Sequence, residues 1–274
     1  MLQIITDSSS DLPPELIKKH HIHVVPLTVY MDGQEYTEGV TIKPRDFAEK
    51  MIHSPVLPRT SQPSPGAFAQ LFQEISPLGP LLCLTLSSKL SGTYLSACQG
   101  KDISRKDVAV FDTLSGSLGH GIQILKTVEL AAQGLSREEI VKKLTLFRSE
   151  MNIFILLDTL ENIVKGGRLN RFTGALAKIL DIKVLAQGVE GAVEVVEKIR
   201  GKKRFLQKVV ETITQSRRDF SDRLLGITHV DNWEDAKYLK EALMEKVHPK
   251  EVLLNEMGPT MGTYAGKGGI IIAV

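Results

Sequence analysis

The sequence predicts an α/β protein made of two α/β domains with largely parallel or mixed sheets. Short apolar runs alternate with helix-type patterns, which is typical of strands connected by covering helices. The chain has 274 residues, more than one typical domain. A new strand pattern begins at Ile153, so we place an N-terminal domain at residues 1–152 and a C-terminal domain at residues 153–274.

Strands are predicted wherever a short apolar run lies between turn-forming residues. In chain order these runs are Gln3 to Thr6, Val24 to Tyr30, Leu81 to Leu86, Val108 to Phe111, Ile153 to Leu157, Val193 to Ile199, Leu224 to Val230, Val252 to Glu256 and Ile270 to Val274. Each run is short enough for a strand and is rich in β-branched or large apolar residues, which favours a buried sheet.

Helices are predicted where apolar residues recur at helical spacing behind a starting signal. The starts are Pro13-Pro14, Ser64-Pro65, a point near Gly92, the glycine-rich turn after Phe111, and Ser136. Ser136 is followed three residues later by Glu139, the pattern of a capping box. A further short helix is expected to end at Gly166-Gly167, because glycine readily adopts the left-handed conformation that terminates helices.

The composition restricts the class of protein. With 42% hydrophobic and 24% charged residues, the chain can bury a core without disulfides or metal. Its net charge of +2 argues against broad electrostatic binding to nucleic acid. The basic run Lys198 to Arg204 is interpreted as a solvated loop, which leaves a DNA-binding regulator as the weakest of three functional hypotheses.

The cysteines and the N-terminal residues indicate the compartment. Cys83 and Cys98 are the only cysteines and are predicted to be buried, reduced thiols. The first residues have neither a basic region nor a long apolar stretch, and no apolar segment is long enough to span a membrane. We therefore expect a cytoplasmic protein.

Three loops at strand ends are rich in hydroxyl groups and lie at residues 7–11, 60–65 and 87–93. Ligands of open α/β folds bind beyond the carboxyl ends of strands, where such loops meet. Serine and threonine hydroxyls can hold carboxylate or phosphate oxygens, and a helix starting near Gly92 would add free N–H groups. Thr60 and Ser91 are therefore predicted to form an anion site. Ser64, and Ser10 or Asp11, are instead interpreted as helix caps.

Several catalytic and metal motifs are incomplete. The segment 262–268 resembles a phosphate-binding loop, but its glycines are one residue too close and Gly268 replaces the magnesium-binding hydroxyl. His20, His21 and His23 have no cysteine or paired carboxylate beside them, so we predict no metal site. A phosphate-binding or phosphoryl-transfer enzyme that uses Asp7 or His120 stays open as the alternative function.

Several short motifs, including the hydroxyl-rich loops, resemble those of a known protein family. The motifs that carry the resemblance are Asp7-Ser8, Asp11-Leu12-Pro13, Thr60-Ser61-Gln62-Pro63-Ser64, Leu86-Ser87-Ser88-Lys89-Leu90-Ser91-Gly92-Thr93-Tyr94, Phe111-Asp112-Thr113, Thr159-Leu160-Glu161 and Lys165-Gly166-Gly167-Arg168. In this order they resemble the DegV family, and the resemblance covers essentially the whole chain.

The resemblance implies a non-catalytic lipid-binding protein. Its fold would have an apolar tunnel between two α/β domains, which holds one long-chain fatty acid such as palmitate, stearate or oleate and needs no other cofactor. The better-understood members are binding subunits of bacterial fatty acid kinase, which present the acyl carboxylate to a separate ATP-dependent subunit. Such a cargo is compatible with transient membrane contact.

The same resemblance implies roles for individual residues. Thr60 and Ser91 would contact the carboxylate, with Ser61 and Gly92 beside them. Arg168 and Arg200 would lie on the face that meets the kinase partner. The kinase-binding members often carry a histidine in the glycine-rich segment near the acyl head group.

Here Tyr264 stands in the place of that histidine. A phenol can still donate a hydrogen bond, but it does not titrate near neutral pH. A buried C16 tail contributes about 0.8 kcal/mol per methylene, so neutral donors suffice at the head. Neutral hydroxyls also leave the carboxylate nucleophilic, unlike a bidentate arginine.

Overall fold

The computed structural model describes residues 1–169 and 181–274. In the first half the strands are β1 (Gln3–Asp7), β2 (His23–Val25), β3 (Thr28–Met31), β4 (Gln34–Thr37), β5 (Arg59–Ser61), β6 (Leu81–Thr85) and β7 (Val108–Asp112). The helices there are α1 (Pro14–Lys19), α2 (Pro44–His53), α3 (Pro65–Ile75), α4 (Thr93–Ser104), α5 (Ser117–Ala132) and α6 (Arg137–Ser149).

In the second half the strands are β8 (Ile153–Leu157), β9 (Ile182–Val189), β10 (Ala192–Arg200), β11 (Leu224–His229), β12 (Glu251–Glu256) and β13 (Ile270–Ala273). The helices there are α7 (Glu161–Lys165), α8 (Lys202–Ser216), α9 (Trp233–Val247) and α10 (Pro259–Ala265). None of the helices in the described ranges is both long and apolar enough to cross a membrane.

The strands form three sheets that divide by sequence half. A parallel sheet has the order β2-β1-β6-β7, and a small antiparallel sheet has the order β4-β3-β5. The second half contributes a mixed sheet of order β10-β9-β8-β13-β11-β12, in which β11 and β12 are parallel. The predicted α/β class with parallel and mixed sheets is confirmed. The boundary between residues 152 and 153 stays a prediction.

Helix α5 joins the two halves. It packs against β1 and β6 of the parallel sheet and against β11 and β13 of the mixed sheet. Gly226 on β11 permits this approach, because a Cβ there would lie 2.6 Å from Leu118 Cβ on α5. The backbone of Asn152 also exchanges hydrogen bonds of 2.9 and 3.0 Å with Val274, which holds the last residue beside the start of β8.

The predicted strand Val24 to Tyr30 is wrong as one element. The chain leaves the parallel sheet at the end of β2 and enters the small sheet as β3, and Pro26 lies in the break. Proline lacks the N–H that a sheet interior requires, so the run divides there. This division matters for the site, because β3 as a separate strand pairs with β5, the strand that carries Thr60.

Two other expectations also change. The run Lys198 to Arg204 is not a loop: it covers the end of β10 and the start of α8, and Gly201, with φ +88°, turns the chain between them. Cys83 is buried as predicted, whereas Cys98 on α4 is only half-buried.

The helix-start signals give a mixed outcome. The Ser136–Glu139 capping box is confirmed, and Ser64 caps α3 by accepting from the N–H of Ala67 at 3.2 Å. The predicted cap of α1 by Ser10 or Asp11 is wrong, since α1 begins after Pro13 with no side-chain cap. The carboxylate of Asp11 instead bonds to groups far away in sequence.

Candidate ligand-binding site

A narrow apolar pocket lies between the two halves, with a cavity volume of about 50 Å³. Its apolar walls are formed by Leu27, Leu86, Leu90, Ile155, Leu157, Ile163, Val193, Met261, Ala265 and Ile271. Its polar lining consists of Thr60, Ser91, Arg168, Thr260 and Tyr264. A mostly apolar cavity with a few polar groups is the usual design of a small-molecule site.

Thr60 reaches the pocket from β5. Its backbone pairs with Val29 on β3, which fixes the height of the side chain above the small sheet. The Thr60 hydroxyl oxygen lies 2.6 Å from the phenol oxygen of Tyr264 on α10, and either oxygen can donate. One polar contact therefore joins the first half of the chain to the second at the pocket wall.

Ser91 lies in the loop between β6 and α4. The N–H groups of Leu90 and Ser91 both donate to the carbonyl of Ser87, which makes a tight turn. The Ser91 hydroxyl oxygen accepts from the N–H of Thr93 at 3.3 Å and lies 2.9 Å from Thr93 Oγ1. Ser91 thus lines the pocket beside Thr93, the first residue of α4, where a helix dipole favours negative charge.

Arg168 holds the ring of Tyr264. Its guanidinium carbon lies 4.7 Å from the ring centroid, and its Nη1 and Nε donate to the carbonyls of Gly166 and Leu90 at 2.6 and 3.3 Å. The ring occupies space that any larger residue at position 166 would take, since a Cβ on Gly166 would lie 2.5 Å from two ring carbons. Arg168 therefore connects the Ser91 loop to Tyr264.

Two buried carboxylates hold α10 against the first half. Glu38 accepts hydrogen bonds from Thr260 N and Thr260 Oγ1 at 2.7 and 2.8 Å, and from Ser8 Oγ at 2.5 Å. Asp11 accepts from Gly258 N at 2.9 Å and from Ser117 Oγ at 2.6 Å. Burial raises the pKa of Glu38 and raises the pKa of Asp11 well above its usual value.

Glu38 was not among the residues predicted from the sequence, and Asp11 was predicted to cap α1 but bonds to the start of α10. One signal was available: Pro259 opens α10, yet no acidic residue stands in its first turn. The free N–H groups at the start of a helix need acceptors, and here a carboxylate distant in sequence accepts from one of them. Which residue does so depends on the packing of the two halves.

The predicted site residues divide into two groups. Thr60, Ser91, Arg168 and Tyr264 come together around the pocket. Ser61 lies on the opposite side of β5 with an exposed side chain, and Arg200 is exposed at the end of β10.

Gly92 lies outside the pocket walls that the described residues form. Its φ of −75° is an ordinary one, so this glycine is not needed for an unusual backbone conformation. In the structure the space over Gly92 is filled by the carboxamide of Gln62.

The residues of the alternative enzyme hypothesis are enclosed. Asp7 is wholly buried, and its carboxylate accepts from Leu86 N at 2.7 Å and from Ser9 N and Oγ at 3.1 and 2.5 Å. His120 is also wholly buried, with Nε2 2.9 Å from Thr6 Oγ1, and burial lowers its pKa. Neither side chain is open to a phosphoryl group, which argues against this hypothesis.

Comparisons with known proteins are consistent over the full length. The sequence model of the DegV family matches residues 1–274. A DegV domain-containing protein of Caldanaerobacter subterraneus is 33% identical over 267 residues, which are 97% of this chain and 95% of the relative.

Solved structures are also similar to this chain. A DegV family protein from Thermus thermophilus, described as binding fatty acid, is 29% identical with a TM-score of 0.93. The match covers 99% of this chain and 98% of the Thermus thermophilus chain. A DegV family protein from Ruminococcus gnavus, refined with vaccenic acid, is 27% identical with a TM-score of 0.91. The match covers 100% of this chain and 99% of the Ruminococcus gnavus chain.

Proposed function

Because this chain belongs to the DegV family, we propose that it binds one long-chain fatty acid, with the acyl chain in the apolar pocket and the carboxylate at Thr60 and Ser91. The observation that carries the proposal is the apolar pocket whose polar lining includes both hydroxyls. Relatives that cover nearly the whole chain, from Thermus thermophilus and Ruminococcus gnavus, are described with fatty acid or vaccenic acid.

The lining fits an acyl chain in energetic terms. The walls are apolar side chains from both halves of the chain, so each methylene that enters leaves water for an apolar surface. At about 0.8 kcal/mol per methylene, a C16 or C18 chain supplies the affinity without help from the head group. Palmitate, stearate and oleate are therefore the ligands that we propose.

The head group needs only neutral donors. The Ser91 hydroxyl can rotate a hydrogen toward a carboxylate oxygen, and the Thr60–Tyr264 pair has one further hydrogen to donate. Ser91 lies at the start of the 12-residue helix α4, whose dipole adds a favourable potential for an anion. Ser61 and Gly92 support this arrangement from outside the pocket: Ser61 continues β5, and Gly92 is the N-cap residue of α4.

We also propose that the bound carboxylate is presented to a separate ATP-dependent kinase subunit in the cytoplasm, and that this chain is not an enzyme by itself. Arg168 lines the pocket, and Arg200 is exposed at the end of β10. Two arginines are suited to recognise acidic groups on a partner surface. The enclosure of Asp7 and His120 favours this role over phosphoryl transfer by the chain itself.

The test is ligand identification followed by rebinding. Protein purified from a bacterial host is analysed by native mass spectrometry, then stripped of lipid and titrated with palmitate. We expect one co-purified fatty acid per chain and a rise in the melting temperature on rebinding, since a ligand that binds only the folded state stabilises it. A ligand-free mass together with no thermal shift from palmitate or oleate would reject the proposal.

A further inference from the structure

We propose that Gln62 is a positioning residue that sets the spacing between the Thr60 and Ser91 hydroxyls and so makes the site selective for a carboxylate over a head group with one oxygen. This inference rests on the proposed function, because it assumes that both hydroxyls bind the head of a fatty acid. It assigns a role to an exposed glutamine that does not line the pocket.

The carboxamide of Gln62 joins the segment after β5 to the first turn of α4. Its Nε2 donates a hydrogen bond of 2.8 Å to the hydroxyl of Ser96, a residue that is 1% exposed. The oxygen end lies over Gly92, where a Cβ would be 2.0 Å from Oε1 and 2.7 Å from Cδ. Only glycine at position 92 leaves room for this contact.

The two ends of this link lie next to the two head-group residues. Gln62 follows Thr60 by two residues, and side chains two apart in an extended segment point to the same side. Ser91 directly precedes Gly92 in the loop that begins α4. A single carboxamide therefore connects the segment that carries one hydroxyl to the segment that carries the other.

The helices behind this link are tightly packed against each other. Gly100 on α4 lies so near α3 that a Cβ there would be 2.6 Å from Phe68 Cβ and 2.9 Å from the carbonyl oxygen of Pro65. Helices α3 and α4 are thus packed backbone to backbone below the two loops. Above these helices, the Gln62–Ser96 hydrogen bond joins the segment after β5 directly to the first turn of α4.

The spacing matters for a ligand with two oxygens. A carboxylate accepts from both hydroxyls at once only if each hydroxyl lies within hydrogen-bond distance of one carboxylate oxygen. An alcohol has a single oxygen and needs only one of the two hydroxyls. A hydrogen bond to a charged acceptor is also stronger than one to a neutral acceptor. Loss of the link should therefore weaken binding of the acid and leave binding of the alcohol nearly unchanged.

The experiment compares palmitate with 1-hexadecanol on lipid-free, full-length protein, using competition against a fluorescent fatty acid. Gln62→Met keeps the length of the side chain but removes its hydrogen bonds. We expect palmitate affinity to fall about tenfold, as for loss of one hydrogen bond to a charged group. Hexadecanol affinity should change less than about twofold, within the scatter of a substitution away from the ligand.

Ser96→Ala removes the other end of the same bond and should act in the same direction. The double variant should be no weaker than Gln62→Met alone, because residues that act through one interaction are not additive. Gln99→Ala is the matched control, since Gln99 is an exposed glutamine on the same helix. It should leave both affinities unchanged.

The outcomes separate the inference from the proposed function. If wild-type protein binds palmitate but Gln62→Met keeps the wild-type ratio of acid to alcohol affinity, the inference is overturned and fatty acid binding stands. Equal loss of both ligands also overturns it, because that indicates a general structural role. If Gln62→Met does not fold, an unchanged ratio in Ser96→Ala overturns it instead. Failure of wild-type protein to bind palmitate overturns the proposed function.

Discussion

The phenol oxygen of Tyr264 lies 2.6 Å from the hydroxyl oxygen of Thr60, although the two residues are 204 positions apart. The bond joins β5 in the first half to α10 in the second, at the wall of the apolar pocket. Since each group has one hydrogen and can also accept, one donates to the other and leaves a second hydrogen for a ligand. The pair is thus a neutral donor built from both halves of the chain.

Replacement of Tyr264 by phenylalanine should weaken palmitate binding by about threefold to tenfold, the range expected for one neutral hydrogen bond of about 1 kcal/mol. Tyr238→Phe, at an exposed tyrosine on α9, is the control and should bind as the wild type does. Isothermal titration of lipid-free protein measures both. An unchanged affinity in Tyr264→Phe would mean that the phenol does not contact the head group.

A histidine at position 264 should make binding depend on pH. The described lining of the wild-type pocket contains no histidine, so palmitate affinity should be nearly flat between about pH 6 and pH 8. In Tyr264→His the imidazole becomes cationic below about pH 6.5 and attracts the carboxylate, so affinity should rise as the pH falls. A flat profile in the variant would contradict this prediction.

Removal of both predicted head-group hydroxyls should reduce palmitate affinity but preserve the fold. Thr60→Val keeps the shape of the side chain, and Ser91→Ala removes one oxygen from a half-buried site. We expect at least about a tenfold loss in the double variant, because two hydrogen bonds to a charged acceptor disappear. Circular dichroism checks the fold, and Ser149→Ala, at an exposed serine on α6, serves as the control.

Addition of one carbon at Gly166 should displace the Tyr264 ring. A Cβ there would lie 2.5 Å from two ring carbons, closer than atoms approach without movement. We expect Gly166→Ala to lower the unfolding free energy by about 1–3 kcal/mol, as overpacking does, and to weaken palmitate binding. Gly66→Ala on α3 is the matched control, because its nearest atom, Ser64 Oγ, is 3.7 Å away.

The buried carboxyls of Asp11 and Glu38 should contribute more to the stability of the fold in mild acid than at neutral pH. Burial raises the pKa of both groups, so the folded state binds protons more tightly than the unfolded chain. Their contribution is complete below the usual carboxyl pKa of about 4 and is lost as the pH rises through the raised values.

Urea denaturation across about pH 4.5 to pH 8 measures this dependence. The double variant Asp11→Asn with Glu38→Gln should have a flatter profile of unfolding free energy than wild type. Glu245→Gln, at an exposed glutamate on α9, should keep the wild-type slope. An equally steep profile in the double variant would show that other groups cause the dependence.

Arg200 should affect acyl-phosphate formation without affecting lipid binding. Arg200→Ala removes an exposed cation outside the pocket walls of the described residues, so palmitate affinity should stay within about twofold of wild type. With the ATP-dependent subunit of a bacterial fatty acid kinase, product formation should fall several-fold. Arg218→Ala, an exposed arginine after α8, is the control. Equal activity in both variants would remove Arg200 from the partner surface.

Local patterns predicted most of the strands and the capped helices because their causes are local. The capping box of Ser136 and Glu139 needs only residues within one turn, and the structure confirms it. The division of Val24 to Tyr30 at Pro26 was also readable from local chemistry, since proline interrupts a sheet. Helix α8 was not predicted, although its buried apolar residues from Phe205 to Ile213 recur at helical spacing.

The sequence by itself determined that the chain is an α/β protein and predicted an anion site at the hydroxyl-rich loops that carry Thr60 and Ser91. Only the tertiary structure decided that Tyr264 bonds to Thr60 and that Glu38 caps a helix more than 200 residues away. Propensity, capping and periodicity act over one or two turns, whereas these contacts depend on how two sheets and α5 pack together. The polar part of the site is therefore a property of that packing and not of any one segment.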